Sequence, residues 1–331
     1  MMKAGKSFLS GATLGLWLFL GTASLSHGAI AAPPQFTRVA HLTNGELALT
    51  FSAPTGNVCR IVTSTNALSW NGLVTIPASI STSLQYTDSA APFLPGRFYR
   101  GEVLSGTNSF TGDHLTTTNG DVIIQPRFHA TCVLNWNGLM IYCDPDDSAT
   151  YGGLDKADLI LVTHSHSDHL SVPTIDTVRG TNAVIIAPQD VYNNFLNAGQ
   201  KTITRVLGYG GSTNVFGLTV EAVPAYNANH AFNFGNGYVL TIGGKRIYFS
   251  GDTGDQAELH TLPNIDVAFL CINQPFTMTV NQATNLVTAF LPKVVYPYHY
   301  RDQSGATTNA AAFKQRLDPS LGIEVRLRPW Y

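Results

Sequence analysis

The chain has 331 residues, of which 44% are apolar and 12% charged, and its net charge is -2. That composition can fill a large core under a lightly charged surface, leaves room for about two domains and excludes intrinsic disorder. No basic patch or charge run is present, which argues against nucleic acid or an anionic membrane as partner.

Lys3 and Lys6 precede an apolar run over residues 8–25, and Ala29-Ile30-Ala31 supplies small residues for a cut near Ala31 or Ala32. This is the pattern of a secretory signal peptide over residues 1–31. The competing reading is an uncleaved membrane anchor; the Pro33-Pro34 that follows favours cleavage. A secreted or periplasmic protein is expected, because no later stretch is long and apolar enough to span a bilayer. Export would put Cys59, Cys132, Cys143 and Cys271 in an oxidising compartment.

Residues 36–104 hold short alternating segments, such as 46–51 and 59–63, punctuated by turns at Thr43-Asn44-Gly45, Pro54-Thr55-Gly56-Asn57 and Asn71-Gly72. They predict a small antiparallel β-sandwich with Trp70 and Phe98 in its core. No chemistry is assigned to it beyond a role as spacer or surface docking module. Residues 105–120, rich in Gly, Ser and Thr, predict a linker in which His114 is solvated.

The pattern changes at residue 121. Strands over 122–136 and 139–143 flank Asn137-Gly138, which favours a two-residue type I′ hairpin turn. Counting outward pairs Trp136 with Leu139 and Cys132 with Cys143. That is a hydrogen-bonded pair, whose Cα separation suits a disulfide less well, so two buried thiols are favoured over a bridge. The apolar run 157–162 predicts a fully buried strand. Ser171 before Val172-Pro173 starts a helix. A strand over 183–187 and a short helix over 189–197 follow. Strands are expected over 218–223, 237–242, 246–249 and 265–272. Thr279 and Gln282 form a capping box that opens a helix through Phe290. Residues 293–296 then predict a strand, 308–317 a helix and 323–327 a last strand. Hairpins first, then strands alternating with helices, suit two mixed sheets packed together with helices outside.

His164, His166, Asp168 and His169 lie within six positions, directly after the buried strand. A lone histidine is ordinarily a satisfied core or surface residue; three with an aspartate have no ordinary packing role. His230, Asp252 and His299 each follow an apolar run. Singly they read as loop histidines and a turn aspartate. With the first cluster they supply the imidazoles, carboxylates and bridging group that a two-metal hydrolytic site requires.

The motif His164-x-His166-x-Asp168-His169, followed in order by His230, Asp252 and His299, resembles that of the metallo-β-lactamase superfamily over about residues 121–327. The resemblance implies an αββα sandwich spanning 121–331, with the site at one sheet edge. It implies two divalent metal ions, zinc by default, although manganese, iron or nickel would accept the same ligands. His164, His166 and His230 would hold the first ion and Asp168, His169 and His299 the second. Asp252 would bridge them and Asp144 would support the ligands from behind. Asp168 would also orient the water or carry its proton. Phe128-His129-Ala130, Pro224-Ala225-Tyr226-Asn227 and Phe276-Thr277-Met278 are similar to the branch that includes L-ascorbate-6-phosphate lactonase and the N-acyl-phosphatidylethanolamine phospholipase. That likeness puts His129 and Tyr226 near the site. Phe128 stands where many relatives have Gly, and Phe249-Ser250 where many have His-Ala, which implies a different substrate rim. Ser64-Thr65-Asn66, Ser69-Trp70, Thr87-Asp88 and Arg97-Phe98-Tyr99-Arg100 resemble fibronectin type III-like modules of secreted bacterial proteins. The function implied is an exported hydrolase that turns metal-activated water on an ester, lactone or phosphodiester bond of a small molecule. β-Lactam cleavage fits poorly, because the antibiotic-cleaving enzymes lack a bridging carboxylate like Asp252. The alternative is a secreted binding or adhesion protein whose metal domain is inert.

Overall fold

The computed structural model describes residues 33–81, 83–94, 96–104, 110–301 and 304–331. The expected signal peptide lies outside them. The first strands are β1 (Gln35–His41), β2 (Leu47–Ser52), β3 (Cys59–Ser64), β4 (Asn71–Ile76), β5 (Leu84–Asp88) and β6 (Phe98–Val103). Next come β7 (Gly112–Thr117), β8 (Gly120–Phe128), β9 (Thr131–Trp136), β10 (Leu139–Cys143) and β11 (Ala157–Leu161). Helix α1 (Val172–Val178), β12 (Arg179–Ala187), α2 (Gln189–Asn194), α3 (Ala198–Thr202) and β13 (Thr204–Val206) follow. The rest comprises β14 (Ser212–Val215), β15 (Leu218–Ala225), β16 (Gly235–Ile242), β17 (Lys245–Phe249), β18 (Val267–Cys271), α4 (Val280–Phe290), β19 (Val294–Tyr298), α5 (Ala310–Arg316) and β20 (Glu324–Val325).

Two large sheets face each other. One runs β13-β12-β11-β10-β9-β8-β7-β4-β3-β6, the other β14 through β20 in sequence order. Side chains alternate across a strand, and the sequence exploits this. Ile141, Cys143, Leu159 and Leu161 point into the core between the sheets, against Leu240, Phe249 and Phe269. Met140, Tyr142 and Ile160 point the other way, under Ile175 and Val178 of α1 and Val191 of α2. Leu286, Val287 and Phe290 of α4 and Phe313 of α5 pack into the same core as the second sheet. Helices α1, α2 and α4 start where the sequence indicated, while α3 had not been expected. The Ser171 side chain caps α1 by accepting from the Thr174 amide, and the reciprocal Thr279–Gln282 capping box opens α4.

The hairpin register is the one counted, Trp136 against Leu139 and Cys132 against Cys143. Asn137 and Gly138 both have positive φ, 53° and 89°, as a type I′ turn requires. All four cysteines are buried free thiols.

Three expectations are corrected. The single strand over 122–136 is two antiparallel strands, β8 and β9, that reverse at His129-Ala130, where His129 has φ 52°. The stretch expected as a linker contains β7, which pairs with β4 on one side and β8 on the other. The first strands therefore continue the larger sheet, with β1-β2-β5 packed over β3 and β4 through a small core of Leu49, Phe51, Ile61 and Val74. His114 is not solvated: it is buried on β7, 2.7 Å from both Thr75 Oγ1 and Asp121 Oδ2.

A buried ionic network fastens the last segment of the chain to the same region. Arg328 donates to both oxygens of Asp113 on β7, at 2.8 and 3.1 Å, and to the Tyr86 hydroxyl at 2.9 Å. Arg326 pairs with Glu324, whose Oε1 accepts from Ser89 at 2.7 Å. Trp330 is wholly buried in the core.

Candidate metal centre

Every candidate ligand leaves the end of a strand, and the loops meet at one edge of the sandwich, where rigid elements hold side chains that a flexible loop could not. Asp144 follows β10, and His164, His166, Asp168 and His169 follow β11. His230 lies between β15 and β16, Asp252 follows β17, and His299 immediately follows β19. Two close backbone approaches make this possible. A Cβ on Gly251, which has φ 57°, would lie 2.8 Å from the Asn236 carbonyl oxygen. One on Gly235 would lie 2.7 Å from His164 Cβ. Only glycine fits at either position.

Asp252 lies at the middle of the cluster, and its two oxygens face different ways. Oδ1 is 3.3 Å from His169 Nε2 and 3.4 Å from His299 Nε2. Oδ2 is 3.4 Å from His230 Nε2 and 3.9 Å from His164 Nε2. His166 joins the second side, its Nδ1 being 3.2 Å from His230 Nε2. Asp168 joins the first, its Oδ2 being 3.4 Å from His299 Nε2 and 4.0 Å from His169 Nε2. All seven sequence candidates are thus together, as two groups on either side of one carboxylate.

For His169 and His230, neighbouring groups fix which ring nitrogen is free. His169 Nδ1–H donates to Asp144 Oδ2 at 2.8 Å, and Asp144 also accepts from the amide and hydroxyl of Thr163, both at 2.7 Å. His230 Nδ1–H donates to Asn227 Oδ1 at 3.0 Å. Each ring therefore turns a lone pair on Nε2 toward Asp252. The Nε2 atoms of His164, His169 and His299 and the Oδ1 of Asp252 are buried without a hydrogen-bond partner. Such an orphan costs about 1–3 kcal/mol, and four at one point make no sense as core packing. Divalent cations fit this donor set, since they would satisfy all four atoms at once.

The electrostatics agree. Burial opposes ionisation of Asp252, but His299 and His169 outweigh it and hold the carboxyl far below the usual range. Burial likewise opposes Asp168, and the hydrogen bond from His129 with the neighbouring His299 and His169 holds it low. Burial, then the neighbouring His169, pushes His164 well below the usual histidine value. Burial opposes the charge on His169 too, but Asp252 and Asp144 outweigh it and hold the ring well above the usual histidine value. The site thus favours ionised carboxylates and, at His164, the neutral imidazole, the forms that bind metal, while the negative charge around His169 is what a cation would replace a proton to meet.

A cavity of about 590 Å³ opens over the cluster, lined by His166, Asp168, His230, Asp252 and His299 and walled by Phe128, Phe276, Asn273, Arg301 and Tyr331. His129 is in the wall, as expected. Tyr226 is not: its hydroxyl turns outward to Glu258 at 3.0 Å. Only its backbone serves the site, its carbonyl accepting from the Gly254 amide at 2.8 Å just beyond Asp252. Sequence reasoning assigned no role to Asn273, Arg301, Tyr331 or Asp146. None lies in a recognisable pattern, and Tyr331 reaches the site across 202 residues of chain.

Asp146 makes a separate test. Its Oδ1 accepts from the amides of Ser148 and Ala149, while its Oδ2 is buried without a partner. Burial pushes its carboxyl up to about 6. A carboxyl whose folded value exceeds its unfolded one takes up a proton on folding, so it costs stability above about pH 6 and nothing below about pH 4. In metal-free protein, Asp146→Asn is expected to gain about 1–2 kcal/mol relative to the native chain between pH 4 and pH 7. Denaturant titration at the two pH values checks this; a pH-independent difference would refute the assignment.

Residues 125–299 match the family model described as Beta-lactamase superfamily domain. A UPF0173 metal-dependent hydrolase of Thermococcus kodakarensis is 35% identical over 178 residues, a match that takes in 51% of this chain and 79% of that protein. Another, from Pyrococcus furiosus, is 33% identical over 195 residues, taking in 56% of this chain and 85% of that protein. Among solved structures, a protein of Parabacteroides distasonis assigned as a metal-dependent hydrolase superposes with TM-score 0.60 at 38% identity, covering 66% of this chain and 99% of that one. Igni18, a metallo hydrolase from Ignicoccus hospitalis, gives 0.55 at 25% identity, covering 62% and 94%. A ligand cluster built on this double sheet, with these relatives, has one reading: the chain belongs to the metallo-β-lactamase superfamily, as one of its metal-dependent hydrolases.

Proposed function

We propose that the protein is an exported hydrolase with two divalent ions, zinc by default, that cleaves an ester, lactone or phosphodiester bond of a small molecule. The observation that carries the two-ion reading is the division of Asp252, with one oxygen toward His169 and His299 and the other toward His164 and His230. His164, His166 and His230 would hold one ion, Asp168, His169 and His299 the other, and Asp252 both. When bound, such ions lower the pKa of water to about 7 and polarise the bond under attack.

The chain's own residues would do the rest. Asp168, with its side chain one-third exposed at the cavity, is placed to orient water or take its proton. Arg301 is the only cation among the described lining residues and would meet an anionic group on the substrate. Phe128 and Phe276 offer apolar walls beside it. His129, at the β8–β9 reversal beside Asp168, supports kinship with the lactonase and phospholipase branch. Residues 1–31 support export, and the first strands would act as a fibronectin type III-like spacer or docking module.

The test is a screen of the processed protein, loaded with zinc or manganese, against ester, lactone and phosphodiester reporters. Turnover of one class that is lost on chelation and restored by metal is expected. No turnover of any class, with metal bound, would instead favour an inert binding module.

A further inference from the structure

The hydroxyl of Tyr331 lies between two groups. It is 3.1 Å from the Arg301 backbone amide, which can only donate to it. It is 2.9 Å from His129 Nδ1. The Asp168 carboxylate can only accept, and its Oδ2 lies 3.0 Å from His129 Nε2, so the proton of neutral His129 sits on Nε2. His129 Nδ1 is then left to accept, and the Tyr331 hydroxyl, which accepts from the amide, donates its own proton to it.

Two consequences follow. His129 lies with Asp168, His169 and His299 in a group whose spacing would suit a metal ion. With Nε2 protonated it offers that ion no lone pair, so it is a donor to Asp168 and not a fourth ligand. The ring of His129 also packs against that of His299, with centroids 3.8 Å apart and planes tilted by 45°, so its orientation bears on two groups of the same half-site. We infer that Tyr331 is a positioning residue for the metal centre: its hydroxyl, donating to Nδ1, secures the His129 ring and tautomer that hold Asp168 in place beside His169 and His299.

The frame around Tyr331 suits such a task. Its ring packs edge-on against Phe128 and Tyr300, at 5.3 and 5.1 Å, and under the Arg301 guanidinium at 5.2 Å. Upstream, Trp330 is buried in the core, and Arg326 and Arg328 are fixed in the ionic network on Asp113 and Glu324. The strands before residue 121 thereby contribute to the site at a distance. They anchor the segment that delivers Tyr331, through Asp113 on β7 and Ser89 after β5.

The metal arm of the test rests on the two-ion reading above; the tautomer arm does not. Tyr331→Phe keeps the ring contacts and removes only the hydroxyl. Zinc titration of the metal-free protein against a chromophoric chelator is expected to show the weaker affinity reduced about tenfold, the size seen for partners behind metal ligands. In a His129→Asn background, which asparagine suits because it tolerates positive φ, the same change should cost less than about twofold, since Tyr331 acts through His129. Equal losses in both backgrounds, or none in the native one, would overturn the inference. Histidine ¹⁵N spectra of the native protein give the second readout: Nε2–H at His129 is expected, and Nδ1–H refutes it even if no substrate is ever found.

Discussion

Asp252→Ala is expected to lower hydrolysis by at least about 10³-fold and to cut bound metal. One carboxylate oxygen faces two imidazoles of one half of the site and the other faces two of the opposite half. Without it, four buried rings face one another with no negative charge at the centre. Cations drawn to the remaining ligands would repel each other across a space that nothing screens. Metal-ion catalysis supplies several kcal/mol of barrier lowering, and each 1.36 kcal/mol is tenfold in rate. Asp252→Asn separates shape from charge: it fits the same space, keeps one oxygen and loses the anion, so it should recover little activity. The ratio kcat/KM and elemental analysis of both variants decide the matter. Turnover within about tenfold of the native chain would show that the bridging carboxylate is not part of the chemistry.

The second large effect is on stability. Stripping the metal should lower the melting temperature by about 15 °C or more. A ligand present at a thousand times its dissociation constant stabilises the fold by about 4 kcal/mol, and two such ions by about twice that. For a domain of this size each kcal/mol moves the midpoint about 2–4 °C. The structure says where the loss originates. Buried Nε2 atoms of His164, His169 and His299 and the Oδ1 of Asp252 have no protein partner to fall back on. Calorimetry of chelated and reloaded protein reads the shift directly. An unchanged midpoint would mean that these ligands are satisfied some other way.

How much of this was legible in the sequence depended on whether the deciding contact was local. His164-x-His166-x-Asp168-His169 is local: a buried apolar strand runs straight into it. The Asn137-Gly138 turn is local too, and because strand pairing then has a fixed register it gave Cys132 opposite Cys143. The reversal at His129-Ala130 was missed because no Gly, Pro or Asn marks it; His129 itself takes the left-handed conformation, held between Trp330 and His299 backbone groups. β7 was missed because its threonines and glycine read as loop, while pairing with β4 and β8 overrode that preference. His114 followed from the same error, since its partner Thr75 lies across a strand pair nobody could count from sequence. Tyr226 sat in a recognisable phrase, but the phrase marks a backbone path past Asp252 and not a side chain in the cavity. Arg301 follows His299 off β19 but carried no signal of its own, and Tyr331 had none at all, being brought to the site by the buried pairing of Arg326 and Arg328 far from it.

Anomalous scattering from zinc-loaded crystals tests the central claim most directly. Two peaks about 3.5–4 Å apart are expected, one on each side of the Asp252 carboxylate. The first should lie among His164, His166 and His230, the second among Asp168, His169 and His299. No peak at this sheet edge, or a single one that leaves either trio empty at saturating zinc, would contradict the account.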